Sequence, residues 1–139
     1  MFELHPRLLN DCHSLGRLDL CRVLLMDDRT YPWLILVPER DGVSEIFHLS
    51  DADQIELIAE SSAVARGMVS AFRPDKLNIA AIGNLVPQLH VHHVARFATD
   101  PAWPGTVWGR GPGERYSPAG VDAVREGMAA VMPVLRGAR

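Results

Sequence analysis

The sequence predicts an α+β fold with a mostly antiparallel sheet, and the order of its apolar segments leads to that class. Two short apolar runs, Leu20 to Met26 and Trp33 to Val37, flank a polar connector, as in a pair of antiparallel strands. A long segment with helical spacing follows, and then come two more strand-like segments and a final helix-like one. The order strand, strand, helix, strand, strand, helix is typical of α+β proteins. A length of 139 residues predicts one domain spanning 1–139.

The long helix is predicted by its start signal, its periodicity and its stop signal. Ser50 precedes two acidic residues, as expected of a helix cap and first turn, and Pro74 ends the segment. Apolar or small residues recur between them at alternating three- and four-residue spacing, which indicates one buried helix face. The residues of that face are Ile55, Ile58, Ser62, Ala65, Val69 and Phe72.

The remaining elements follow from shorter signals. Pro6 is suited to the first turn of a short helix over His5 to Leu9, and Ser117-Pro118 opens a final helix that runs to about Val131. Strands are predicted over Leu77 to Ala81 and Gln88 to Arg96, with a turn at Gly83-Asn84 between them. The segment from Thr99 to Tyr116 is rich in Gly and Pro and is expected to be irregular but ordered.

Composition excludes several classes of protein. A net charge of −3 without clustered Lys or Arg argues against nucleic acid as a partner. Cys12 and Cys21 form no C-x-x-C pair and no disulfide framework, which favours a reducing compartment. The N-terminus lacks the apolar run of a signal peptide, and no stretch approaches the ~20 apolar residues of a membrane span. A cytoplasmic protein without a membrane partner is therefore expected.

Half of the six histidines lie within four residues, in the run Gln88 to Val94. Because side chains two apart in a strand share a face, Gln88, His90 and His92 should lie together, with His93 on the opposite face. Two adjacent imidazoles can divide a reaction between a nucleophile and a hydrogen-bond or proton donor. Spacing alone also allows a metal site or structural histidines. The first acidic residue after the cluster is Asp100, and this lack of a nearby carboxylate weakens the metal interpretation.

The segment NIAAIGNLVPQLHVHHVAR, from Asn78 to Arg96, resembles the signature of the histidine triad (HIT) superfamily. In register, Gln88 stands at the first histidine position, His90 at the second and His92 at the third. The resemblance covers roughly residues 20–96. It implies an antiparallel sheet of about five strands with one long helix and a C-terminal helix.

The resemblance also implies a function. Family members hydrolyse or transfer nucleoside monophosphate groups from dinucleoside polyphosphates, nucleoside phosphoramidates or nucleotide sugars. His90 would attack the α-phosphorus to form a covalent nucleotidyl-histidine, and His92 would bind a phosphoryl oxygen or assist the leaving group. No cofactor is expected, except Mg²⁺ accompanying a polyphosphate substrate. The alternatives are a nucleotide-binding module with little turnover and, less favoured, an H-x-H metal-binding protein.

Three positions depart from the family pattern. Gln88 replaces the first histidine, although its main-chain carbonyl can still orient the ring of His90. Trp33 occupies the position of a buried histidine that commonly supports the first triad residue, and His93 stands where an apolar residue is expected. We expect Gln88 and Trp33 to be neighbours that satisfy each other's hydrogen bonds. Alternatively, Trp33 simply fills core volume.

The resemblance implies further substrate contacts and an assembly. Asp27, or Asp28 in its place, would bind the ribose hydroxyls, because a carboxylate accepts two hydrogen bonds from a diol. Asn78 and Asn84 match phosphate-loop or ribose-side positions. Family members are usually symmetric dimers, and a homodimer using the long helix is expected here. Apolar residues beyond the main stripe of that helix would supply the surface, namely Leu57, Val64 and Met68.

Overall fold

The computed structural model describes residues 1–137 and has the predicted α+β architecture. Nine elements follow one another along the chain: α1 (Pro6–Asp11), β1 (Cys12–Arg17), β2 (Cys21–Met26), β3 (Trp33–Pro38), a 3₁₀ turn (Ile46–His48), α2 (Asp51–Phe72), β4 (Lys76–Ala80), β5 (Val91–Arg96) and α3 (Pro118–Val131). The five strands form one antiparallel sheet in the order β1-β2-β3-β5-β4. The predicted sheet, long helix and C-terminal helix are therefore confirmed.

Strand β1 was not predicted, and its sequence shows why. The segment CHSLGR has no alternation of apolar and polar residues and contains Gly16, which has a φ of +135°. The register against β2 shifts between Ser14 and Gly16, so the strand is bulged. A Cβ at Gly16 would lie 2.6 Å from the carbonyl oxygen of Arg136, which pairs with Arg17. The bulge therefore lets the C-terminal segment approach the edge of the sheet.

The centre of the sheet is buried on both faces, and alternation along its strands decides which side chains lie on which face. On one face Leu34, Leu36, Val91 and Ala95 pack with helices α2 and α3. On the other face Trp33, Ile35, Val37 and Val94 pack beneath α1 and the segment around Val107. Such two-sided burial explains why β3 reads as a continuous apolar run rather than as an alternating one.

Helix α2 has the predicted bounds but not the predicted buried face. Its cap is confirmed, because the Ser50 hydroxyl accepts a hydrogen bond from the Asp53 N–H. Ile55 is 73% exposed and Ile58 is 62% exposed, so the predicted core stripe faces outward. The buried face is instead formed by Leu57, Glu60, Ser61, Val64, Gly67 and Met68. The surface expected from Leu57, Val64 and Met68 is thus core, and that prediction was wrong.

Glu60 shows why the buried face is not purely apolar. Its carboxylate accepts hydrogen bonds from the main-chain N–H groups of Leu20 (2.8 Å) and Cys21 (2.9 Å), at the start of β2. A buried carboxylate that accepts two N–H bonds replaces much of its lost hydration. The helix therefore fixes the position of a strand through an acidic side chain.

Strand β5 begins at Val91, three residues later than predicted. Gln88, Leu89 and His90 precede the ladder, and the Leu89 N–H bonds to the carbonyl oxygen of Val43 instead. The predicted turn region contains Gly83 with a φ of +69°. No helix among residues 1–137 has the length and apolar character needed to cross a membrane.

Candidate functional site

His90 is held by the backbone of the residue that replaces the first motif histidine. Its Nδ1 lies 2.7 Å from the carbonyl oxygen of Gln88. A carbonyl only accepts hydrogen bonds, so Nδ1 carries the proton and Nε2 carries a lone pair. The His90 side chain is 7% exposed, and Nε2 has no hydrogen-bond partner among residues 1–137. The expected carbonyl contact is therefore present, and Nε2 is the ring nitrogen that keeps a free lone pair.

His92 shares a face with His90, as predicted, and is enclosed by aromatic rings. Its ring centroid lies 5.0 Å from that of His90, 5.7 Å from that of Trp33 and 5.5 Å from that of Trp108, all edge-on. The indole N–H of Trp33 donates to Nδ1 of His92 at 3.0 Å. Burial, reinforced by the neighbouring imidazoles of His90 and His93, lowers the pKa of His92 to about 4. His92 is therefore neutral near pH 7.

The predicted hydrogen bond between Gln88 and Trp33 is wrong. The Gln88 side chain bonds the N-terminal segment, accepting from the His5 N–H (2.8 Å) and donating to the Glu3 carbonyl (2.9 Å). Trp33 pairs with Val94, which lies six residues after Gln88. Because residues of a strand advance ~3.3 Å each, Gln88 lies well away from Trp33 along the strand direction. Trp33 thus contacts the third motif position rather than the first, and Gln88 holds the N-terminus against the site.

His93 faces away from the pair, as alternation predicts. It is fully buried under α2, where Nε2 lies 2.7 Å from the Ser61 hydroxyl and Nδ1 lies 3.1 Å from the Val91 carbonyl. Burial lowers its pKa to about 4, although the bond to Val91 acts in the opposite direction. These contacts account for His93 as a packing residue.

A cleft of about 720 Å³ opens beside the aromatic rings. Its walls include both predicted ribose contacts, Asp27 and Asp28, together with Trp33, Trp108 and the glycine-rich segment 109–113. Among the described residues that line the cleft there is neither His90 nor His92, but the two indoles in its wall both contact the ring of His92. His90 borders a separate, small hollow of about 20 Å³ with Gly83 and Gln88. The candidate site therefore consists of the histidine pair and an adjoining chamber.

The two aspartates are held differently. The Asp27 carboxylate accepts from the Tyr116 N–H (2.9 Å), and it lies 3.1 Å from His13 Nε2 and 3.4 Å from Arg115. Burial alone would raise its pKa, but the bonds from Tyr116 and His13 and the charges of His13 and Arg115 lower it overall. Asp28 accepts only from the Thr30 N–H among its contacts within residues 1–137. The Asp27 carboxylate is thus held in its ionised form at neutral pH.

Among the described residues that line the cleft there is neither Asn78 nor Asn84. The side-chain oxygen of Asn78 accepts from Arg96 (2.7 Å), whose guanidinium also forms a two-point ion pair with Asp100. Asn84 is exposed in the connection between β4 and β5 and lines neither the cleft nor the hollow. The structure brings Asp27 and Asp28 together with Trp33, and it places Asn78 in an ion-pair cluster and Asn84 on the surface.

Sequence reasoning missed the residues that the irregular segment contributes. Trp108 packs on both Trp33 and His92, and Tyr116 bonds Asp27. They lie among glycines and prolines without periodicity, so no pattern assigns them to a face. A Trp in such a segment is the one signal that could have marked them. Within residues 1–137, no three His, Cys, Asp or Glu side chains are grouped as metal ligands.

Comparisons with known proteins agree with this fold. The HIT domain model matches residues 7–99. A histidine triad protein from Marinobacter aquaeolei VT8 is 48% identical, with 98% of this chain and 99% of that chain covered at a TM-score of 0.94. A histidine triad protein from Bradyrhizobium japonicum is 43% identical, with 93% of this chain and 96% of that chain covered at a TM-score of 0.90. One from Sinorhizobium meliloti 1021 is 44% identical, with 97% of this chain and 98% of that chain covered at a TM-score of 0.89. The sequence has no significant match among curated proteins. With more than half of its length matched by the family model, this chain belongs to the HIT domain family.

Proposed function

We propose that the protein is a nucleotide hydrolase or nucleotidyl transferase that acts at the α-phosphate through a covalent bond to Nε2 of His90. The observation that carries this proposal is the 2.7 Å contact between His90 Nδ1 and the Gln88 carbonyl. Because the orienting group is a main-chain atom, glutamine supplies it as well as histidine does. Replacement of the first motif histidine therefore leaves the nucleophile intact.

The reaction takes place in two displacements. The lone pair on His90 Nε2 attacks the α-phosphorus, and the bond to the leaving group breaks as the P–N bond forms. The imidazole ring becomes positively charged, and the Gln88 carbonyl stabilises it through the Nδ1 proton. Water or another acceptor then attacks the phosphorus and releases its proton to solvent, the P–N bond breaks, and His90 returns with its lone pair. His92 binds a phosphoryl oxygen during both steps.

The cleft is the proposed nucleoside-binding chamber. Trp33 and Trp108 offer aromatic walls to a base, and Asp27 or Asp28 accepts hydrogen bonds from the ribose hydroxyls. The classes of substrate to test are nucleoside phosphoramidates, dinucleoside polyphosphates and nucleotide sugars. Mg²⁺ is proposed only as a companion of the polyphosphates.

The proposal is tested by intact-protein mass spectrometry after rapid quenching with each substrate class. The wild-type protein should gain one nucleoside monophosphate, and His90→Ala should gain none. His48→Ala, at an exposed histidine outside the cleft, is the matched control and should behave as wild type. Nucleotide binding without an adduct or turnover in the wild type would instead favour a binding module.

We also propose a homodimer, with a second copy of the chain as the partner. β4 is an edge strand, and Ile79 on it is 50% exposed, followed by Ile82 (42%) and Leu85 (75%). The opposite edge is partly covered, since Arg17 of β1 pairs with Arg136. Edge strands with exposed apolar residues tend to pair with another chain. The proposed dimer surface therefore lies at the β4 edge and not at Leu57, Val64 and Met68, which are buried in the core.

A further inference from the structure

Trp33 and His92 form a hydrogen bond whose direction is fixed by chemistry. The indole nitrogen lies 3.0 Å from Nδ1 of His92, and both side chains are buried. An indole N–H donates and cannot accept, so Nδ1 of His92 must be the acceptor. Nδ1 therefore carries no proton while this contact exists.

The remaining proton of a neutral imidazole must then be on Nε2. His92 is kept neutral by its surroundings, which are the rings of Trp33, Trp108 and His90. Burial lowers its pKa to about 4, which agrees with a single ring proton at neutral pH. Nε2 of His92 has no hydrogen-bond partner among residues 1–137, and it is not among their fully enclosed unpartnered polar atoms. The N–H group is therefore available to a ligand.

His90, its neighbour, has the opposite tautomer, because its Nδ1 donates to the Gln88 carbonyl. Two rings 5.0 Å apart thus present different groups, a lone pair on His90 and a proton on His92. A phosphoryl group placed between them meets a nucleophile on one side and a hydrogen-bond donor on the other.

We propose that Trp33 is a positioning residue, which fixes His92 as a neutral Nε2–H donor toward the phosphoryl group and prevents it from acting as a second nucleophile or base. The tautomer itself follows from the contact alone, whereas its consequence for turnover rests on the proposed function. Trp33 therefore has a chemical role at the third motif position, distinct from filling the core.

The test is ¹⁵N NMR of the histidine side chains in the free protein, in which protonated and unprotonated ring nitrogens have well-separated shifts. The wild-type protein should show His92 with Nε2 protonated and Nδ1 unprotonated at pH 7. A proton on Nδ1 would overturn the proposal, whatever the behaviour of any variant. This measurement requires no substrate.

Two variants test the role of the indole N–H. Trp33→Phe keeps an aromatic ring but frees Nδ1 to take a proton, so the titration midpoint of His92 should rise by about one pH unit. Trp108→Phe is the matched control for this readout, because Trp108 packs on the same ring but its buried Nε1 has no hydrogen-bond partner in residues 1–137. Equal midpoints in the two variants would overturn the proposal.

Turnover separates this inference from the proposed function. Trp33→Phe should lower kcat about tenfold with KM within twofold, since His92 loses its fixed orientation while the cleft remains. An unchanged kcat would overturn the positioning role. If the wild-type protein has no turnover with any substrate class, the proposed function fails, and the NMR result still decides the tautomer.

Discussion

The hydroxyl of Ser61 lies 2.7 Å from Nε2 of His93 and links α2 to β5 through two buried polar groups. His93 Nδ1 donates to the Val91 carbonyl at 3.1 Å, so Nε2 must accept the proton of the serine. This bond lies on the opposite face of β5 from His92. It therefore supports the strand that carries His92 without touching the candidate site.

Replacing Ser61 with alanine should lower the free energy of unfolding by about 1–3 kcal/mol, because His93 Nε2 would remain buried without a donor. Urea unfolding monitored by circular dichroism measures the change. Ser62→Ala is the matched control, since Ser62 is the next residue and is exposed, and it should change stability by less than ~0.5 kcal/mol. Equal effects of the two substitutions would show that the buried bond contributes nothing.

The same contacts explain why the buried face of α2 could not be predicted from periodicity. Sequence reasoning chose the most apolar stripe, beginning with Ile55 and Ile58. The true face has the same three- and four-residue spacing but includes Glu60, Ser61 and Gly67, each of which has a specific tertiary partner. Such partners come from distant segments, so a window of sequence cannot show them.

Strands β2 to β5 and the histidine pair were predictable because their signals are local. β2, β3 and α3 follow from apolar runs and caps, and alternation placed His90 and His92 on one face with His93 on the other. The partner of Trp33 was not predictable in this way. Strand register decides it, because the register places Trp33 opposite Val94, and a short apolar run does not specify which residue of a distant strand it faces.

Stability should depend on pH through the two buried histidines. His92 and His93 each have a pKa lowered to about 4 by burial, with neighbouring imidazoles adding to the effect at His92. Between pH 6.5 and 4 the unfolded chain binds protons that the folded chain does not. The free energy of unfolding therefore has its full value above pH 6.5 and decreases as the pH is lowered. The decrease is on the order of 3 kcal/mol between pH 7 and pH 5 for the two histidines together.

Urea unfolding at pH 7 and pH 5 measures this slope, and His93→Gln should reduce it by about half. The carboxyl of Asp100 does not interfere in that range. Burial opposes its ionisation, but bonds from Arg96 and from main-chain N–H groups lower its pKa to about 2, so its contribution is lost only below pH 3.8. Identical stability of the wild-type protein at the two pH values would contradict the prediction.

Substitution of Ile79 with lysine should dissociate the proposed dimer, because a charged side chain on an exposed edge strand opposes pairing with a second chain. Light scattering coupled to size-exclusion chromatography measures the mass at micromolar concentration. Leu9→Lys, at a 62% exposed apolar residue on α1, is the control and should remain dimeric. A monomeric wild-type protein would exclude the assembly altogether.

Gly113 should affect substrate binding without affecting the chemical step. A Cβ at this position would overlap the carboxyl group of Asp28, so Gly113→Ala must displace either that carboxylate or the segment opposite it. Both line the cleft, and neither histidine does. KM should rise about tenfold with little change in kcat, because the lost interaction binds the substrate and the transition state equally well. Gly127→Ala is the control and should leave both constants unchanged, because among the described residues no atom lies within 4 Å of its added Cβ on α3. A change in kcat alone in Gly113→Ala would exclude a role for this part of the cleft in binding the ribose.

Removal of the two site histidines should have unequal consequences. His90→Ala removes the atom that forms the P–N bond, so turnover should fall to background on every substrate class. His92→Ala removes one hydrogen-bond donor to the phosphoryl group and should lower kcat about 10²-fold, while the adduct on His90 still forms slowly. Single-turnover kinetics with quenched mass spectrometry measure both the rate and the adduct. Near-native rates in His90→Ala would refute the nucleophile assignment. If His92→Ala lost the adduct and His90→Ala retained it, the roles of the two rings would be exchanged.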